Sequence, residues 1–140
     1  MSNRIRHAIT DHISQHLTYG EIACKCGCGF GLYDGDFSKS TVRAFEKIRE
    51  RVGVPLRVNS GCRCKTHNAA VGGSLDSRHI HGDAMDIDTP DGWTDEAFYT
   101  VCDDVIGYAG GVGIYEGRVH IDTRGKYVRK TTKNGKWATV

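Results

Sequence analysis

The sequence predicts an α+β domain, a small and mainly antiparallel sheet with helices packed on one side. Three observations predict it. The stretches Ala84–Asp88 and Arg118–Thr123 alternate apolar and polar residues, as half-buried strands do. Two longer stretches carry apolar residues at helical spacing, between a capping Ser or Thr and a Gly stop. At 140 residues, 39% of them hydrophobic, the chain is long enough for one domain with a modest core.

Residues 1–16 are polar, with Ile5, Ala8, Ile9 and Ile13 at a spacing that permits a short amphipathic helix. Its three histidines, His7, His12 and His16, are expected to face solvent. Residues 17–36 have no clear period and hold the cluster Cys24-x-Cys26-x-Cys28. This stretch reads as a loop ordered by its cysteine chemistry. Asp36 or Ser38 can cap a helix running to about Val52, with Val42, Phe45, Ile48 and Val52 as its apolar stripe. Gly53 stops it and Pro55 follows. Val54 to Asn59 reads as a strand ending in Ser60-Gly61, with Arg63 in the loop beyond. Residues 65–76, rich in Gly and Asn, are expected to wrap around the site.

Thr94, followed by Asp95 and Glu96, starts a second helix with two acids where its dipole favours them. Ala97, Val101 and Val105, joined by Phe98 and Cys102, make its expected buried face, and Gly107 ends it. Gly110 to Tyr115 and Arg118 to Thr123 read as a hairpin around Glu116-Gly117. The tail, 126–140, has an Asn134-Gly135 turn and Trp137 and can add a terminal hairpin.

The net charge of +2 is too weak to argue for nucleic acid, and no apolar run is long enough to span a membrane. Neither partner is expected, and the chain is expected to work as a monomer. Its first residues lack the apolar core of a signal peptide. It is therefore expected to be made in the cytoplasm. With six cysteines and no export signal, a metal or reduced thiols is a better default than disulfides. A structural zinc shared between Cys24, Cys26, Cys28 and either Cys62 or Cys64 is one reading. A small packed loop of reduced thiols, or a disulfide formed after release, is the other.

Residues 77–88 carry the chemistry. His79 and Asp86 are both metal-ligand types, separated by the small residues Gly82 and Ala84. Gly82 suits a turn that folds His79 back over Asp86. On the strand that follows, Ala84, Asp86 and Asp88 share one face, and Met85 and Ile87 point into the core. Caps also use His and Asp, so the pair alone is open to either role. His120, alternating with Val119 and Ile121 in a second strand, is the best third ligand. Two imidazoles and a carboxylate make a zinc site with an open position.

Ser77-x-His79-x-x-Gly82-x-Ala84-x-Asp86, followed by His120, resembles the signature of the zinc D-alanyl-D-alanine carboxypeptidases. Relatives of that family include bacteriophage peptidoglycan endopeptidases, vancomycin-resistance D-Ala-D-Ala dipeptidases and, by fold, the Hedgehog signalling domain. Ser60-Gly61-Cys62-Arg63-Cys64 and His67-Asn68-x-x-Val71-Gly72-Gly73 resemble the family's Ser-Gly-Tyr-Arg and His-Asn segments. Gly111-Val112-Gly113-Ile114-Tyr115 precedes the His120 strand, as in the family. The resemblance runs from about Leu17 to Thr123. It implies that His79, Asp86 and His120 bind Zn²⁺, with the site on the concave face of the sheet.

Peptide hydrolysis at such a site also needs a proton carrier. Relatives place an acid three residues before the third ligand, where this chain has Gly117. Asp122, on the strand face of His120, is the preferred base, and Glu116 the alternative. Asp122 can instead support a ligand histidine through a hydrogen bond. Arg63 aligns with the family's Arg, which implies a hold on a substrate carboxylate or developing oxyanion. A loop salt bridge to Asp76 or Asp83 is its plainer role. His81 is expected at the surface.

The expected function is a zinc peptidase acting on peptidoglycan stem peptides, either a D-Ala-D-Ala carboxypeptidase or a lysin-like endopeptidase. Such an enzyme would reach the cell wall after release or as part of a phage particle. A non-catalytic zinc-binding module and a phage structural protein that binds cell wall are the alternatives. The missing acid at position 117 keeps them open.

Overall fold

A computed structural model describes residues 4–133 and 136–139 of the chain. The first elements are a short antiparallel pair, β1 (His12–Ser14) and β2 (Leu17–Thr18), and a single helical turn, α1 (Tyr19–Ile22). There follow α2 (Lys39–Val52), β3 (Val58–Ser60), α3 (Lys65–Ala70), β4 (Ala84–Asp88) and α4 (Asp95–Ile106). The last strands are β5 (Gly111–Tyr115), β6 (Arg118–Asp122), β7 (Val128–Lys133) and β8 (Lys136–Thr139).

One six-stranded sheet has the order β3-β4-β6-β5-β7-β8. All its pairs are antiparallel except β5–β7. That exception follows from the hairpin before it. β6 runs back along β5 and leaves the chain beside the start of β5, so a strand added to the free edge runs parallel to β5. Hydrogen bonds from Gly125 N to Ala109 O (2.8 Å) and from Val128 N to Gly110 O (3.3 Å) fix this return. The fold is α+β, with the helices on one side of the sheet, as the patterning predicts. The terminal hairpin also forms, although its Asn134-Gly135 turn lies outside the described residues.

Both long helices start and stop at the expected signals. Ser38 Oγ accepts from Thr41 N, and Gly53 ends α2 at φ 71°. Thr94 Oγ1 accepts from Ala97 N at the start of α4. Val42, Phe45, Ile48 and Val52 are buried, as expected. On α4 the buried stripe is Phe98, Cys102 and Ile106, whereas Ala97 is exposed and Val101 and Val105 are only partly buried. The larger side chains of the i, i+4, i+8 row take the inward face, because they remove more apolar area from water. They join Phe45, Ile48, Met85, Ile87, Val112, Val119 and Ile121 in one core.

Two expectations about the N-terminal segment are corrected. Residues 4–16, the described part of the N-terminal segment, do not form a helix. Their backbone pairs with residues 32–34 instead, through His7 N to Leu32 O (2.8 Å) and Asp34 N to Ile5 O (3.0 Å). Ile5 and Ile9 consequently stay exposed. His7 is not simply solvent-facing, since it stacks on Tyr19 with ring centroids 4.0 Å apart. His16 binds Glu46 Oε1 through Nδ1 at 2.6 Å. Residues 65–76 contain the short helix α3, which is capped by Cys64 Sγ accepting from His67 N at 3.3 Å.

Candidate metal centre

β4 and β6 lie side by side with Asp86 opposite His120. Met85, Ile87, Val119 and Ile121 point into the core, so Asp86 and His120 share the other face. Gly113 of β5 is the second cross-strand neighbour of His120 and adds no side chain beside it. His79 reaches this face from the turn before β4. Gly82 makes that turn, with φ 72° and an ideal Cβ that would stand 2.1 Å from the Asp36 carbonyl oxygen. Only glycine fits both conditions. Ser38 N donates to Gly82 O at 2.8 Å, so the start of α2 holds the turn in place.

Three donor atoms converge. His79 Nε2 lies 3.3 Å from Asp86 Oδ1, and His120 Nδ1 lies 3.0 Å from the same oxygen. Ligands about 2.0–2.1 Å from a tetrahedral zinc stand roughly 3.3–3.4 Å apart, so the spacing fits the ion. The other ring nitrogens are also accounted for. His79 Nδ1 donates to Gly61 O at 2.6 Å, and His120 Nε2 donates to Asp122 Oδ2 at 2.8 Å. Each bond favours the tautomer whose facing nitrogen can ligate a metal. His79 and Asp86 are buried, at 3% and 5% exposure. Burial works to raise the Asp86 carboxyl, but the hydrogen bonds of His120 and His79 outweigh it and hold the carboxyl well below the usual range. Burial likewise opposes a charged His120, yet Asp122 and Asp86 together push it up to about 9. The two carboxylates favour a positive charge beside them, and the cluster could coordinate a metal ion.

Asp122 does not have the surroundings of a general base. It is fully buried. Oδ1 accepts from Gly111 N (2.9 Å) and from Arg124 Nε (2.9 Å), and Oδ2 from His120 Nε2 and from Arg124 Nη2 (2.6 Å). Burial would raise its pKa, but Arg124 and His120 hold it well below the carboxylate range. Both oxygens are occupied and neither reaches solvent, whereas a base needs a lone pair facing its proton. Glu116 is exposed on the β5–β6 turn and is not part of the cleft wall.

Arg63 ion-pairs with neither Asp76 nor Asp83. Its Nη2 approaches Asp86 Oδ2 at 3.4 Å, Nε donates to Ser60 Oγ (3.2 Å), and Nη1 donates to Asn68 Oδ1 (3.0 Å). Arg78 takes Asp83 instead. His81 is at the surface and pairs with Asp76 at 3.2 Å.

A cleft of about 530 Å³ opens beside His79 and His120. Arg63, Arg78, Arg118, Arg124 and Lys130 contribute to its wall, and Asp76 is the acid in that wall among the described residues. Tyr115 lines it too, with the Arg118 guanidinium 4.4 Å from its ring centroid. Apart from Arg63, this basic wall was not read from the sequence. The available signal was weak: Arg124 stands two residues after Asp122, and Arg78 and Arg118 lie next to or two from the ligand histidines.

Cys24, Cys26, Cys28 and Cys64 form a second cluster, with their sulfurs all within 4.8 Å of one another. Cys62 is not part of it, because its side chain packs into the core, where burial pushes its thiol up. The backbone N–H of His67 donates to Cys64 Sγ and helps bring that half-buried thiol down to about 7.

No curated protein matches the chain. The profile of the Peptidase M15 family matches residues 15–122, a span that holds the three convergent donors, Arg63 and all four clustered cysteines. With that span covering most of the molecule and the His-Asp-His cluster at its centre, the chain belongs to the Peptidase M15 family of zinc peptidases.

Proposed function

We propose that the protein is a zinc metallopeptidase that hydrolyses peptidoglycan stem peptides, as a D-Ala-D-Ala carboxypeptidase or an endopeptidase. One observation carries the reading. A donor set of two imidazoles and one carboxylate opens onto a cleft walled by Arg63, Arg118, Arg124 and Lys130. Stem peptides are small and rich in carboxylates, and a cationic cleft of this size suits them. Access to the cell wall after release, or as part of a phage particle, and action as a monomer complete the proposal.

His79, Asp86 and His120 would hold the ion. When bound, zinc supplies Lewis acidity, polarising a peptide carbonyl and making water a competent nucleophile near neutral pH. The chain's own residues set up the rest. Gly61 O and Asp122 orient the two imidazoles. Arg124 keeps Asp122 ionised and in place. Arg63 steadies the second oxygen of Asp86 and presents its guanidinium to the cleft, where a carboxylate or oxyanion can be forked.

A non-catalytic zinc module is the second reading, favoured by Gly117 at the family's acid position and by the full occupation of Asp122. Mass spectrometry of muropeptides incubated with the protein separates the two. The peptidase reading expects new products of defined mass that vanish with chelator and return with zinc. Zinc-loaded protein that binds muropeptides and releases no product would leave the binding module.

A further inference from the structure

We propose that Cys24, Cys26, Cys28 and Cys64 form a tetrathiolate zinc site, separate from the His79–Asp86–His120 centre and structural in role. Cys24 Sγ and Cys26 Sγ are 3.4 Å apart, and Cys26 Sγ and Cys64 Sγ are 3.6 Å apart. A tetrahedral ion with Zn–S bonds of about 2.3 Å needs its sulfurs roughly 3.8 Å apart. The observed spacing is close to that, and well beyond the covalent S–S distance of about 2.05 Å.

The backbone is shaped to bring the thiols together. Gly27 and Gly29 have φ 82° and 92°, which lets Cys26 and Cys28 turn back toward Cys24 within five residues. Cys24 N donates to Phe30 O at 2.8 Å and closes the loop. Cys64 comes from 36 residues beyond Cys28, at the start of α3. Two sulfurs accept backbone hydrogen bonds, Cys24 Sγ from Cys64 N (3.4 Å) and Cys64 Sγ from His67 N (3.3 Å). Such donors stabilise thiolates. Lys25 and Lys65 adjoin ligands in the sequence and offset the negative charge of four thiolates on a divalent ion.

The position explains the purpose. Cys64 follows Arg63, and Gly61 accepts the hydrogen bond that orients His79. Ala23 to Phe30 has little apolar material with which to pack against this loop. A metal joining Cys24, Cys26 and Cys28 to Cys64 fastens the N-terminal segment to the strand-to-helix loop that supports the catalytic centre. Cys62 faces the core and Cys102 sits inside α4, so neither competes for the ion.

The test uses the full chain purified under reducing conditions without chelator. Zinc analysis should give two ions per chain for wild type, one for His120→Ala and one for Cys26→Ser. Where Cys26→Ser does not fold, cobalt substitution of His120→Ala decides. The remaining site should show sulfur-to-cobalt charge transfer and the intense visible bands of a tetrahedral thiolate. One zinc per wild-type chain, a metal-free His120→Ala, or cobalt spectra without sulfur bands would each overturn the proposal. So would a disulfide among the four cysteines in zinc-loaded protein. A chain that held zinc on its thiols but cleaved no muropeptide would support this site and count only against the peptidase reading.

Discussion

His120 and Asp122, two residues apart on the same strand face, share a hydrogen bond of 2.8 Å between Nε2 and Oδ2. The bond points the opposite nitrogen, Nδ1, at Asp86 and the third donor position. We propose that Asp122 acts through His120, and this leads to the first expected outcome. Asp122→Asn should weaken zinc affinity by roughly 10–100-fold, because an amide orients the ring less firmly and polarises it less. At saturating zinc most of the kcat should return. Loss of kcat at full zinc occupancy would instead assign Asp122 to proton transfer.

Gly82 predicts a stability effect. Its φ of 72° and the 2.1 Å approach of an added Cβ to the Asp36 carbonyl leave no room for a side chain. Gly82→Ala should cost about 2–4 kcal/mol in urea unfolding, from backbone strain plus displacement of the turn. Gly53→Ala is the control, because Gly53 has a similar φ of 71° but nothing within 4 Å of its Cβ position. That variant should lose only about 1–2 kcal/mol. Equal losses would show that the close approach to Asp36 carries no cost.

The pattern of legibility follows from what sequence periodicity encodes. The bounds of α2 and α4 were readable because a cap and a glycine stop agreed with the apolar stretch between them, and the β5–β6 hairpin because alternation flanked a Glu-Gly turn. His79, Asp86 and His120 were readable as candidates because strand alternation separates site face from core face. For Asp122 two roles were readable, base or support of a ligand histidine, but its pairing with Arg124 was not, since Arg124 reaches back from beyond the strand end. The basic wall was hidden for a similar reason: its residues come from separate loops and strands whose side-chain directions no local period fixes. The N-terminal segment misled because its apolar spacing suits a helix, whereas its hydrogen-bond partners lie at 32–34. Periodicity also failed on α4, where it allowed two overlapping stripes and size decided between them.

A pH dependence follows for the metal-free protein. His120 is pushed from 6.5 up to about 9, burial being outweighed by Asp122 and Asp86. A group with a raised folded pKa stabilises the fold fully below its unfolded value, and that stabilisation is lost as pH rises through the folded value. Chelated wild type should therefore lose Tm relative to chelated His120→Gln between pH 6.5 and 9. Zinc should reverse the trend, since the imidazole must shed its proton to ligate and affinity rises with pH. A wild-type-minus-variant Tm difference that stayed flat across that window would reject the coupling.

The last prediction concerns the charged cleft. Arg118 lies in the wall against Tyr115, its guanidinium 4.4 Å from the ring centroid, and is not one of the three donors. Removing its charge should weaken the hold on an anionic substrate without altering the chemistry at the metal. Arg118→Gln should accordingly raise KM several-fold with little change in kcat, the signature of lost uniform binding. Added salt should raise the wild-type KM more steeply than that of the variant, because screening weakens a charge the variant lacks. Glu116→Gln supplies the contrast. Glu116 stands exposed on the β5–β6 turn and outside the cleft wall, so both constants should remain near wild type. A fall in kcat of roughly 10²–10⁴-fold in Glu116→Gln would instead make Glu116 the proton carrier, swung inward when substrate binds. An unchanged KM and salt response in Arg118→Gln would mean that the substrate is not held by this wall.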